Sequence, residues 1–170
     1  PDPARFGAIG IDSDGWVTTL LGAPTGREVT EELMFTGVHI LAPEAFAAMP
    51  GSGCVIRSAY RGWVDAGAPV LGVVDDSPWA DLGTVSDYHG VNLELASGLR
   101  SWPGVVPVNG NLLEAGAPAY CSEIRNSVVG AGVHIAAGVS IDACVVWPDS
   151  VITRSTSRAV ITPKHRIELS

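Results

Sequence analysis

From Val129 onward a bulky apolar residue recurs every six positions, at Val129, Ile135, Ile141 and Trp147. A second series, Val133, Val139, Val145 and Val151, keeps the same period. Small residues fill the intervals, as in "GAGVHI" and "AAGVSI". An amphipathic helix repeats at about 3.6 residues and a half-buried strand at about 2, so neither produces consecutive steps of six. The hexad predicts a parallel β-helix, in which each short strand turns a large side chain inward and small residues take the tight corners. Residues 124–152 are expected to form the coils, with Val129, Ile135 and Ile141 inward. So short an array needs something to stack against.

The chain before it follows another grammar. "FGAIGI" and "WVTTLL" flank "DSDG", a hairpin signal carried by Asp14-Gly15. "MFTGVHIL" and "PVLGVVDD" read as mostly apolar, buried strands. "PEAFAAM" reads as a short helix opened by Pro43. "CVIRSAYRGWVDAG" places Val55, Ile56, Ala59, Tyr60 and Trp63 at helical spacing before Gly67, and "VSDYHGVNLELASGL" is a further helix. Alternating strands and helices predict an α/β sheet over residues 1–103, a linker over 104–118 and the β-helix over 119–170. The opening "PDPARFGAIGI" enters a strand almost at once, without a methionine, which leads us to expect that the chain begins inside a larger protein.

Composition narrows the function. The chain has 170 residues, a formal charge of −8 and 46% hydrophobic residues. That excludes disorder and argues against nonspecific nucleic-acid binding, which needs a basic footprint. No apolar run reaches membrane-spanning length, and no signal peptide is visible. Cys54, Cys121 and Cys144 are odd in number and lack metal-ligand spacing; they read as buried free thiols of a cytoplasmic protein.

One short motif carries the chemistry. In "PWADLGTVSDY" (residues 78–88) Asp81 precedes a Gly-Thr pair and a helix. It either organises the turn into that helix, or it stands beyond the carboxyl edge of a sheet, where a carboxylate can hold Mg²⁺ against phosphate oxygens. Neither "GSGC" nor "GAGVHI" has the context of a nucleotide-binding glycine loop. His134, outward in the hexad, is the one candidate for an acyltransferase base, and a solvated surface histidine is its bland reading.

The order "RFGAIGID", "FTGVHILAP", "WADLGTVSDYHGVNLEL" and a hexapeptide tail resembles the second half of bacterial sugar-1-phosphate nucleotidylyltransferases, above all those like mannose-1-phosphate guanylyltransferase. The resemblance implies part of a Rossmann-like sheet followed by a short left-handed parallel β-helix. It implies transfer of a nucleotidyl group from a nucleoside triphosphate to a sugar 1-phosphate, with Mg²⁺ as cofactor. The family's second Mg²⁺-binding aspartate falls on Asp81, its glycine near the sugar on Gly7, and its contacts to sugar hydroxyls on Thr36 and Gly37. A homo-oligomer joined through the coils stays open.

This sequence also departs from the family. Where a lysine normally grips the sugar phosphate it reads Gly22-Ala23-Pro24, which removes a contact worth about 1.5–3 kcal/mol unless Arg27 substitutes. Phe35 replaces a frequent asparagine. The glycine-rich loop and the first metal-binding aspartate normally lie N-terminal to everything present. The rivals are a non-catalytic regulatory or scaffolding relative and a hexapeptide acyltransferase.

Overall fold

The computed structural model describes residues 7–20, 23–24 (backbone only), 28–117 and 123–170. Residues 1–77 and 78–170 form two compact units.

The first unit is built on a hairpin. Strands β1 (Ala8–Ile11) and β2 (Val17–Leu20) pair antiparallel. Their turn is held by Asp12, whose Oδ1 accepts from the amides of Asp14 and Trp16. Strands β3 (Ala23–Pro24) and β4 (Glu31–Met34) complete the order β3-β2-β1-β4. Every pair among them is antiparallel, because connections this short cannot make the crossover a parallel pair needs. The Rossmann-like sheet expected over 1–103 therefore finds no parallel pair among the described strands of this unit.

Helix α1 (Pro43–Ala47) opens on its proline. One π-helical turn, Ile56–Tyr60, runs into helix α2 (Arg61–Asp65), and Gly67 stops it with φ +73°. Ala59 and Val64 join Ile11 and Leu20 in a small core. Two expected buried strands are corrected here. "MFTGVHIL" is a strand only to Met34, and its Val38 and Ile40 are 77% and 97% exposed. "PVLGVVDD" contributes one bridge, Leu71 to Trp16, and leaves Val73 83% exposed. Apolar composition predicted burial, but past Met34 in the first stretch and past the Leu71 bridge in the second no described strand pairs with the chain to supply it.

The second unit holds helix α3 (Val85–Ser97) and strands β5 to β12. The helix groups with the C-terminal strands in one compact unit. His89 is buried and its Nε2 donates to the Ala143 carbonyl at 2.8 Å, while Trp147 Nε1 donates to Tyr88 Oη at 3.1 Å.

The strands pair in parallel between near neighbours in sequence. β6 (Ile124–Arg125) lies beside the start of β9 (Ile141–Val146), and β9 beside β11 (Thr156–Ile161). β5 (Leu112–Leu113) pairs with β7 (Val128–Val129), and β7 with the end of β9. β8 (His134–Ile135) pairs with β10 (Val151–Ile152). The connection from β7 to β9 contains β8 and no helix. Three columns of apolar side chains result. Val129 aligns with Val146 and Ile161, Ile124 with Ile141, and Ile135 with Ile152.

Val129, Ile135 and Ile141 are buried, as the hexad predicts. The fourth members of both series are not: Trp147 is 48% and Val151 64% exposed. The step shortens at β9, where Val146 takes the inward place and Ile152 follows it. Corners at Asn126, Ala143 and Arg158 have φ of 41°, 49° and 49°. They stand at equivalent places in successive rungs, so the left-handed corner is a property of the stack and not of glycine alone. A polar column braces these corners. The Asn111 side chain accepts from the Ser127 amide, and Ser127 Oγ accepts from the Cys144 amide, both at 3.0 Å.

Gly130 shows how tightly the rungs approach. A Cβ there would lie 2.6 Å from the Pro148 backbone nitrogen. Gly130→Ala is expected to destabilise the second unit by about 1–3 kcal/mol, the usual cost of overpacking, read as a lower urea midpoint.

Cys144 is buried, and burial pushes its thiol above the usual range. Cys54, expected to be buried, is exposed. Backbone amides of Arg57 and Ile56 at the start of the π turn hold its thiol below the usual value. Cys121 lies outside the described residues. Iodoacetamide is therefore expected to label Cys54 in the folded protein and Cys144 only after unfolding, a difference mass spectrometry of peptides would read.

Candidate functional site

The segment from Pro78 to Thr84 is irregular and leads into α3. Thr84 is the cap. Its Oγ1 accepts from the Asp87 amide at 3.0 Å and donates to the Asp87 carboxylate at 2.7 Å, satisfying a free amide of the first turn. Gly98, at φ +78°, ends the helix. Beyond it Arg100 is paired with Glu94 at 2.7 Å and reaches the Trp79 carbonyl at 3.5 Å, which holds the segment along the helix.

Asp81 sits between these two anchors, half-buried. An aspartate that organises a turn accepts amides close in sequence. Asp12 does so from Asp14 and Trp16, and Asp75 from Ser77. Asp81 accepts none, and among the described residues its carboxylate has no hydrogen-bond or ion-pair partner. Both of its oxygens lie over Gly83, 3.4 Å from where a Cβ would stand. Capping is done by Thr84, so the turn reading leaves the Asp81 carboxylate unused. Among the described residues no three His, Cys, Asp or Glu side chains converge on a metal position.

Gly7, Thr36 and Gly37 lie in the first unit. Ala8 is opposite Met34 in the β1–β4 pair, so Gly7 and the Thr36-Gly37 pair fall at the same end of that ribbon. Gly7 and Gly37 have φ of 86° and 84°, and a Cβ on Gly37 would meet nothing within 4 Å. Conformation, rather than close approach, accounts for glycine at position 37. Gly22 and Arg27 lie outside the described residues.

Sequence reasoning missed what adjoins Thr36. The rings of Phe35 and His39 are 5.4 Å apart, His39 stacks on Tyr60 at 5.5 Å and 18°, and Tyr60 meets Trp63 edge-on at 5.2 Å. Partial burial pushes the Tyr60 phenol up. Tyr60 and Trp63 were legible as one helical face, but nothing in the sequence brings that face to residues 35–39. His134 is exposed on β8.

The chain is 25% identical over 171 aligned residues to the UTP–glucose-1-phosphate uridylyltransferase of Synechocystis, an alignment covering 85% of this chain and 44% of that protein. It is 26% identical over 152 residues to the mannose-1-phosphate guanylyltransferase of Mycobacterium tuberculosis, covering 86% of this chain and 42% of that protein. Both relatives are sugar-1-phosphate nucleotidyltransferases. The likeness supports that family in its broad sense. No family model matches the chain. The chain spans less than half the length of these curated relatives. No helix among the described residues is long and apolar enough to cross a membrane.

Proposed function

We propose that this chain is the sugar-side, C-terminal portion of a sugar-1-phosphate nucleotidylyltransferase, which joins a nucleoside triphosphate and a sugar 1-phosphate to give a nucleotide sugar and pyrophosphate. The observation that carries the reading is the half-buried carboxylate of Asp81, free of partners among the described residues and held between Arg100 and the Thr84 cap. It stands in Trp-x-Asp-x-Gly-Thr, Trp79 to Thr84, which together with the hexad tail is the most specific part of the resemblance.

A magnesium ion keeps most of its waters and is bound through one or two carboxylates and substrate phosphates. A single unpartnered carboxylate fits one such ligand and no more, so Asp81 is half of a metal site in this reading. When bound, the ion neutralises charge developing on the phosphoryl oxygens. The chain's own part is to hold the Asp81 oxygens in place, through the anchors on either side, and to present Thr36 and the Gly7 and Gly37 turns to sugar hydroxyls. The rings beside Thr36 suit the apolar face of a sugar. In the same reading the parallel columns are a left-handed β-helix, the protein is cytoplasmic, and the exposed Val38, Ile40 and Val73 lie against further strands outside this chain.

Absence of the phosphate-gripping lysine at Gly22-Ala23-Pro24 favours a second reading, a non-catalytic relative that keeps the fold as a scaffold. A pyrophosphate-release assay separates them. The 170-residue chain alone is expected to show no turnover with sugar 1-phosphates and any of four nucleoside triphosphates, while a longer protein containing it turns over. Turnover by the chain alone would overturn the half-site reading, and silence of the longer protein would favour the scaffold.

A further inference from the structure

The repeat of the second unit stops one strand short. The β8–β10 column has a place beyond β10 for a further parallel strand, and residues after Ile161 would reach it if the winding continued. They do not. Thr162–His165 form a tight loop, with Thr162 Oγ1 accepting from the amides of Lys164 and His165 at 3.3 and 2.9 Å. Pro163 lies within it. The chain then reverses into β12 (Arg166–Glu168), antiparallel to β11. Among the described residues β10 pairs with β8 alone, and its outer edge has no strand beside it.

A groove of about 230 Å³ occupies that place, floored by Val151, Ile152 and Ile161 and rimmed by Arg154, Lys164 and His165. Its rim is cationic in an otherwise acidic chain. Residues 150–170 hold Arg154, Arg158, Lys164 and Arg166 among ten Lys and Arg, but only Glu168 among 18 Asp and Glu. Glu168 is engaged by Arg166 at 2.9 Å. Arg154, Lys164 and His165 are exposed and have no ion pair among the described residues. An unpaired strand edge offers backbone donors and acceptors to an extended chain, and alternate side chains of that chain select for the pockets beside it.

We propose that this groove takes an extended acidic segment of a partner polypeptide, which adds to the free edge of β10 and sets its carboxylates against Arg154 and Lys164. Electrostatic attraction favours an acidic sequence, the apolar floor favours aliphatic residues at alternate positions, and the Thr162–His165 loop, by turning the chain back into β12, leaves the place open.

A fluorescein-labelled peptide of alternating glutamate and valine tests this by anisotropy, beside a lysine–valine peptide of equal length. The acidic peptide should bind saturably, at least tenfold more weakly at 0.5 M than at 0.05 M salt, and the basic peptide should not bind. Arg154→Glu with Lys164→Glu, both at exposed positions, should weaken binding more than tenfold with the far-ultraviolet dichroism unchanged. Hydrogen exchange at the amides of residues 151–154 should slow on binding. Absence of saturable binding, affinity indifferent to the charge reversal, or unchanged exchange at these amides would each overturn the proposal. Self-association of the chain that the double variant abolishes, without peptide binding, would give the groove to a second copy and overturn it as well.

Discussion

Ile135→Asp is expected to destabilise the second unit by on the order of 3–5 kcal/mol, enough to unfold a marginal domain. Ile135 is 4% exposed and aligned with Ile152 across the β8–β10 pair. A carboxylate in its place would lie in the apolar cluster that includes Val133, Val139 and Ile152. Among the described residues no Lys or Arg is buried there to pair with it. Protonation relieves part of the penalty, so the loss should be smaller at pH 4 than at pH 7. Thermal or urea denaturation checks both statements, and a melting point within a degree of the parent would remove Ile135 from the interior. Trp147→Asp is the contrasting variant. Trp147 is 48% exposed, so its replacement should cost far less, mainly the bond to Tyr88.

In a longer protein containing this chain, Asp81→Asn should lower kcat about 100-fold or more, the scale observed when one preorganised electrostatic stabiliser is removed. Asparagine keeps the size and the position over Gly83 but removes the negative charge. A site with few carboxylates loses metal affinity sharply when one is neutralised. The transition state depends on the ion more than the ground state does, so kcat falls together with magnesium affinity. Folding stability should barely change, since Asp81 makes no hydrogen bond among the described residues. Activity and magnesium dependence near the parent values would return Asp81 to the role of a corner residue. Thr84→Ala separates the effects: losing the cap should cost about 1 kcal/mol of stability while leaving the Asp81 charge in place.

Local rules were readable wherever local chemistry decides. Asp14-Gly15 announced the hairpin, Gly67 a helix end, and the hexad the burial of Val129, Ile135 and Ile141, whereas the stop at Gly98 was read over as helix. Long-range partners were not readable. Val38, Ile40 and Val73 have the composition of strand cores, but composition does not say whether a neighbouring strand exists. The fourth hexad members failed for a geometric reason. β9 is long enough to pass the Ala143 corner, the step shortens, and Trp147 turns outward onto Tyr88. At the site, Asp81 stood out in the sequence by its motif, yet its lack of a local hydrogen bond is visible only beside Asp12 and Asp75. Tyr60 and Trp63 showed as one helical face, but their meeting with Phe35 and His39 depends on tertiary packing and left no trace in residue spacing.

The Asn111–Ser127–Cys144 ladder has a consequence for how the second unit comes apart. Each rung bonds mainly to the one before and the one after, so its cohesion resembles that of a one-dimensional chain of coupled links. In such a chain the ends loosen first and the middle last. β9 is the middle rung, flanked by β6 and β7 on one side and β11 on the other. It is also the rung that α3 grips, through His89 on the Ala143 carbonyl and Tyr88 on Trp147. The helix thus acts as a clasp at the midpoint of a zipper. Fraying from either end must stop there until the clasp opens, which makes α3, outside the repeat itself, the element that turns a row of separable rungs into one cooperative body.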